Sequence, residues 1–136
     1  PFDGAEYDYY TTTKGILEKV KTHAGDVDFE VQPELLSLFS NRDFGRYAGE
    51  KGEMNVCFIS NNDITGGNSG SAMFNARGEL LGLAFDGNWE AMSSDILYEP
   101  KMQRCIGVDV RYILFMIEKY GKAGDLIREL KIVSGK

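Results

Sequence analysis

Gly66-Gly67-Asn68-Ser69-Gly70-Ser71-Ala72-Met73-Phe74-Asn75-Ala76-Arg77-Gly78-Glu79-Leu80-Leu81-Gly82-Leu83-Ala84-Phe85 is the stretch that decides the fold class. It opens as a loop, because Asn61 to Gly70 holds three glycines and three asparagines. Ser71 to Phe74 is a short run of strand length. Asn75-Ala76-Arg77-Gly78 reads as a hairpin turn, with Gly78 supplying the positive φ such turns need. Glu79 to Phe85 then pairs back as a second strand. A hairpin this compact belongs to an antiparallel, β-rich architecture.

The flanking sequence extends that reading. Val56 to Ser60 and Arg104 to Val108 are apolar runs of strand length. Tyr9 to Thr13 favours a strand, because aromatic and β-branched side chains suit a pleated surface. Gly15 interrupts it, and Ile16 to Val20 fits strand or helix. Thr22 to Asp28 is polar and turn-like. Pro33 suits the first position of a short helix, where its missing N–H is not needed. Asn41 to Gly52 reads as loop, with Phe44 and Tyr47 turned inward. Asp109 is a good N-cap, after which Tyr112, Ile113, Met116 and Ile117 recur at helical spacing. Gly121 ends that helix, and Ala123 to Leu130 forms a last one with Leu126, Ile127 and Leu130 on one side.

Composition bounds the function. The chain has 136 residues, 43% of them apolar and 26% charged, as in a globular domain with a core of its own. The net charge of −6 and the lack of a basic block argue against nucleic-acid binding. No apolar run approaches the length of a membrane span. The chain starts at Pro1 with no charged-then-apolar leader, so compartment is left open at this point. Cys57, Cys105 and the one histidine, His23, are too few for a four-ligand zinc site. The two cysteines read as buried thiols, with a disulfide left undetermined.

The loop before the hairpin carries the chemistry. A serine hydroxyl is a weak nucleophile unless a base takes its proton. An acyl-transfer oxyanion needs backbone N–H groups converging on one point. Glycines beside Ser69 let the N–H groups of Gly67 and Ser69 converge and clear space for a carbonyl. Gly-x-Ser-Gly followed by strand, hairpin and strand is the nucleophile layout of chymotrypsin-like peptidases.

Longer matches give a sharper resemblance. Asn62-Asp63-Ile64-Thr65-Gly66-Gly67-Asn68-Ser69-Gly70-Ser71 and Gly78-Glu79-Leu80-Leu81-Gly82-Leu83-Ala84-Phe85-Asp86-Gly87-Asn88-Trp89-Glu90 closely resemble the bacterial serine dipeptidyl-peptidases, the family that includes dipeptidyl-peptidase 7 and dipeptidyl-peptidase 11. So do Tyr7 to Thr12, Gly45-Arg46-Tyr47, Gln103-Arg104 and Val108 to Tyr112. The resemblance implies the C-terminal barrel of a chymotrypsin-like double barrel, an antiparallel β-barrel closed by a C-terminal α-helix. Residues 1–53 would be lead-in strands and a short helix, 54–108 the nucleophile-bearing barrel strands, and 109–136 the C-terminal helices.

It also implies roles. Ser69 would be the nucleophile, with the oxyanion held by Gly67 and Ser69. Family members are several times longer, with the histidine and aspartate of the triad expected upstream of Pro1. His23, in the polar turn Lys21-Thr22-His23-Ala24-Gly25, is set aside as the base, so the chain alone is expected to be inactive. Asp86 would bind the substrate's free amino terminus. Gly87 stands where the acid-selective type carries arginine, which implies an apolar or aromatic penultimate residue. The partners would be oligopeptides with a free N-terminus and the upstream part of the same polypeptide. A homodimer is a further expectation, since a lone barrel half exposes an apolar interface. The resemblance implies no metal or cofactor, and a periplasmic or cell-surface location. Two other functions fit the residues alone: a non-catalytic peptide-binding module on the same scaffold, and a purely structural domain of a larger assembly. Trp89 reads as a core anchor, Asn68 as a shaper of the turn, and Glu90, Asp95 and Glu99 as solvated acids that Arg104 and Arg111 pair with in part.

Overall fold

The computed structural model describes residues 7–49, 51–93 and 96–133. β1 (Tyr10–Thr12) leads into α1 (Thr13–Thr22), a one-turn helix at Val27–Phe29, α2 (Pro33–Ser40) and a second turn at Gly45–Tyr47. β2 (Asn55–Ser60), β3 (Ala72–Phe74) and β4 (Leu80–Gly87) follow, then a short 3₁₀ turn at Trp89–Ser93 and β5 (Cys105–Asp109). α3 (Val110–Phe115) widens into a π turn at Met116–Tyr120, and α4 (Gly124–Arg128) is the last element among the described residues.

The five strands form one antiparallel sheet in the order β1-β2-β5-β4-β3. β1 and β3, three residues each, are its edges and do not pair with one another. Among the described residues the sheet is therefore open, and the expected closed barrel is not formed. The antiparallel pairing of the sheet and the C-terminal helices are as the sequence predicts, but helices hold at least as much of the described chain as strands do, so the mainly-β class is not met.

The sheet's two faces differ. On one, the aromatic ring of Phe58 and the thioether of Met73 lie over Gly107, where an added Cβ would come within 2.5 Å of Met73 Sδ. Met73, Ala84 and Cys105 are buried there, with Phe58 and Ile64 against them. The other face carries Cys57, Ile59, Ile106, Val108, Leu83 and Ala72 in register. It stays half open: Ile59 is 40% exposed, Leu81 42% and Phe74 59%. Cys57 and Cys105 both remain free thiols. Cys57 pairs with Val108, while Cys105 pairs with Ser60, three residues further along β2. Because side chains alternate along a strand, the two sulfurs lie on opposite faces of the sheet. That arrangement excludes a bridge between them.

A second core joins the helices. Phe39, Phe44, Tyr47, Met54 and Phe115 are buried together, and the Phe115 ring centroid lies 6.0 Å from Phe39 and 6.1 Å from Phe44. Pro33 opens α2, and Phe44 and Tyr47 turn inward, both as expected. The helical face of α3 differs from expectation. Phe115, not Ile113 or Ile117, is its fully buried residue, and Tyr112 and Met116 pack beside it. In α4 only Ile127 is buried; Leu126 and Leu130 are 56% and 52% exposed, because the helix is barely more than one turn.

α1 settles Ile16 to Val20 as helix, one of the two alternatives, and reaches back to Thr13, which the sequence reading places at the end of the strand. It runs straight through Gly15, a residue that costs a helix about 1 kcal/mol relative to alanine. Tertiary contacts outweigh that cost. Ile16 and Leu17 pack on the helical core, and Thr13 is fully buried at the helix start. The Thr13 N–H donates to Met54 O (3.0 Å) and its hydroxyl to Glu53 Oε2 (3.1 Å), which ties α1 to the entry of β2. Asp109 caps α3 as predicted: its Oδ1 accepts from the Arg111 N–H at 2.9 Å.

Candidate active site

The loop before β3 is braced from within. Asn68 Oδ1 accepts from the Thr65 N–H (2.8 Å) and hydroxyl (3.2 Å), and the Asn68 N–H returns to Thr65 O (3.2 Å). Ser71 N–H donates to Asn68 O at 2.9 Å. The loop is then stitched to β4: Gly70 N–H donates to Ala84 O (2.7 Å), and Ala84 N–H to Ser71 O (2.9 Å). Gly67 and Gly70 sit at φ +98° and +88°, a region that side chains with a Cβ rarely adopt. Asn68 thus shapes the turn, as its position suggested.

This bonding pattern leaves a specific set of donors. The N–H groups of Asn68, Gly70 and Ser71 are engaged, whereas those of Gly66, Gly67 and Ser69 donate to no acceptor among the described residues. The Ser69 hydroxyl makes only a long contact, 3.4 Å, to Phe85 O. No histidine accompanies it. His23 lies just beyond α1, on the β1 side of the sheet, while Ser69 precedes β3 at the opposite edge. There its ring stacks on Phe29 with centroids 4.1 Å apart, and Nδ1 lies 2.9 Å from the Thr22 hydroxyl.

Ser69, Asp86 and Gly87 line one cleft of about 270 Å³, together with Ile64, Thr65, Ala91 and Met92. β4 accounts for this meeting. The loop's last residues pair with Ala84, so the end of β4 runs directly past Ser69. Asp86 is exposed, and its Oδ1 accepts from the Gly87 N–H at 2.8 Å while Oδ2 has no partner among the described residues. Gly67 belongs to the same loop but does not line the cleft.

The segment after β4 forms the far wall, which sequence reasoning missed. Asn88 Nδ2 donates to Glu90 Oε2 (2.6 Å) and Met102 O (2.8 Å), and its Oδ1 accepts from the Arg104 N–H (2.8 Å). Gln103 is buried and bridges Leu97 O and the Glu99 N–H. Several sequence expectations fail here. Trp89 is 80% exposed rather than a core anchor, because the turn that carries it points its ring outward. Glu90 is half-buried and held by Asn88, not freely solvated. Arg104 gives its guanidinium to the carbonyls of Pro100, Lys101 and Gln103 instead of to an acid. Arg111 pairs with Asp109, and that contact raises its pKa further. Glu99 is exposed, as expected, and Asp95 falls outside the described residues.

Among the described residues no group of three or more His, Cys, Asp or Glu side chains could hold a metal ion. No helix among them is long and apolar enough to cross a membrane.

Comparison with known proteins shows where this arrangement belongs. The family model described as Peptidase S46 matches residues 1–132. The chain belongs to the peptidase S46 family. Among its S46 relatives, dipeptidyl-peptidase 7 of Porphyromonas endodontalis is 58% identical over 135 residues, covering 99% of this chain and 16% of the relative. The Asp/Glu-specific dipeptidyl-peptidase of Capnocytophaga gingivalis is 47% identical over 133 residues, covering 98% of this chain and 18% of the relative. The crystal structure of Porphyromonas endodontalis DPP11 in complex with the dipeptide Arg-Glu superposes with a TM-score of 0.88 at 43% identity. It covers 95% of this chain and 18% of that one. This S46 chain therefore spans less than a fifth of the length of the relatives it matches.

Proposed function

We propose that this chain is the C-terminal, nucleophile-bearing part of a chymotrypsin-like serine dipeptidyl aminopeptidase in the longer protein. The observation that carries the reading is the single cleft shared by Ser69, Asp86 and Gly87, beside backbone donors that no acceptor among the described residues uses. S46 membership and the dipeptidyl-peptidase names of the relatives support it.

The chemistry follows from the groups present. The substrate's protonated amino terminus sits against the Asp86 carboxylate, whose second oxygen is unpaired among the described residues. That contact places the carbonyl of the second residue over Ser69 Oγ. A base from the upstream part of the polypeptide takes the hydroxyl proton as Oγ attacks the carbonyl carbon. The N–H groups of Gly67 and Ser69 hold the oxyanion. Collapse expels the amine of the third residue, and water then releases the dipeptide from the serine ester. No cation faces the cleft from position 87, so an acidic penultimate side chain would be desolvated without a partner, and an apolar or aromatic one is preferred. The partners of this reading are oligopeptides with a free N-terminus and, for the isolated chain, a second copy covering the half-open sheet face. The location that goes with it is the periplasm or cell surface.

Fluorophosphonate labelling read by intact mass tests the proposal. The longer protein is expected to take one adduct that Ser69→Ala abolishes, while the 136-residue chain takes none. An adduct on the short chain would mean that it assembles its own base. Labelling that survives Ser69→Ala would remove the nucleophile from this loop.

A further inference from the structure

The wall of the cleft shows a steric pairing. A Cβ built on Gly87 would lie 2.9 Å from Ala91 Cβ, closer than real Cβ atoms approach one another, with Ile64 Cγ2 at 3.6 Å and Arg104 O at 3.7 Å. The turn at Trp89–Ser93 is therefore seated directly on Gly87. The room a glycine leaves at this position is taken by the Ala91 methyl group and does not open toward a substrate.

Hydrogen bonds keep the turn there. Asn88 N–H donates to Arg104 O (2.9 Å), and Ala91 N–H donates to Asn88 O (2.9 Å). The Asn88 side chain spans to Arg104 N and Met102 O, both at 2.8 Å. Asn88 thus joins the start of the segment to its end, and Ala91 has no slack with which to step back. Both Ala91 and Gly87 line the cleft that holds Ser69.

We propose that Ala91 is a further specificity-determining residue, its methyl group forming with Gly87 the surface against which an apolar penultimate side chain of the substrate packs. The inference rests on the dipeptidyl aminopeptidase reading and deepens it. Size at position 91 sets how large that side chain can be. Size at position 87 cannot be changed alone, because any side chain there meets Ala91 first.

The test uses the full-length protein and dipeptidyl fluorogenic substrates that differ only in the penultimate residue: alanine, leucine or phenylalanine. Ala91→Leu is expected to lower kcat/KM for the phenylalanine substrate relative to the alanine substrate by about tenfold or more, the scale of a methylene-sized misfit in an apolar pocket. Ala91→Gly should shift the ratio the other way. Gly87→Ala should lose activity on all three, and Gly87→Ala combined with Ala91→Gly should recover it. An unchanged substrate ranking in both Ala91→Leu and Ala91→Gly would overturn the assignment, and Ala91→Gly decides the matter if the leucine variant fails to fold. A double variant no better than Gly87→Ala would overturn the steric pairing. Release of no dipeptide by the unmodified protein, or activity that survives Ser69→Ala, would instead overturn the underlying reading and this inference with it.

Discussion

Asp86→Asn separates recognition of the amino terminus from everything else the cleft does. The substitution keeps Oδ1 and hence the 2.8 Å bond from the Gly87 N–H, so the end of β4 keeps its shape. What it removes is the negative charge facing the substrate. A charge-assisted hydrogen bond contributes about 1.5–3 kcal/mol. Asp86 is exposed, so solvent screening puts the expected loss at the lower end, about 1.5 kcal/mol. That corresponds to roughly a tenfold fall in kcat/KM. The assay compares hydrolysis of one dipeptidyl fluorogenic substrate by the full-length protein and its Asp86→Asn variant, with the amino terminus free and acetylated. The free substrate should lose about tenfold, while the acetylated one, already a poor substrate, should lose nothing further. Equal falls for the two forms, or no fall for the free form, would show that Asp86 does not read the ammonium.

Three other outcomes are expected. Asp109 caps α3 and holds Arg111 through both carboxylate oxygens, at 2.9 and 2.6 Å. Asp109→Ala should therefore cost about 2–3 kcal/mol in urea unfolding followed by far-UV circular dichroism, and Asp109→Asn, which keeps the cap, about 1 kcal/mol less than that. Hydrogen bonding from Tyr47, followed by the charge and hydrogen bond of Arg46, lowers the Glu118 carboxyl below its ordinary value. A depressed folded value means that its stabilising effect is present above the unfolded pKa of about 4.3 and is lost as pH falls through the folded one. An acid unfolding profile of Glu118→Gln should lack that part of the decline. Burial raises the thiol pKa of both Cys57 and Cys105. Timed alkylation with mass readout should find Cys57 slow and Cys105, 2% exposed, labelled only on unfolding.

What was legible in the sequence was local. Pro33 at the start of α2, Gly78 in the hairpin and Asp109 at the start of α3 each act on backbone within a turn of themselves. Their neighbours alone determine the outcome. The helix through Gly15 was not legible, because its stabilisation comes from Met54 and Glu53, some 40 residues away. Phe115 lies on the same helix as the residues expected inward, but the π turn at Met116–Tyr120 and the rings of Phe39 and Phe44 determine which side is buried. The candidate site divides in the same way. Ser69, Asp86 and Gly87 were visible because they sit on a loop and on the strand that loop pairs with. Ala91 was not, since its place depends on which atoms Asn88 reaches at Met102 and Arg104. Trp89 departs from its expected burial for the same reason: its chemistry favours burial, but the turn that carries it faces out.

The shape of the sheet bears on how solutions of this chain would behave. Its two edges are three residues long and offer few free backbone groups for another strand to join. Its half-open face, by contrast, presents Ile59, Leu81 and Phe74. Self-association of the isolated chain should then proceed by flat apolar surfaces meeting. The product would be two copies joined face to face, an association favoured by sulfate, not ordered fibres with a cross-β repeat.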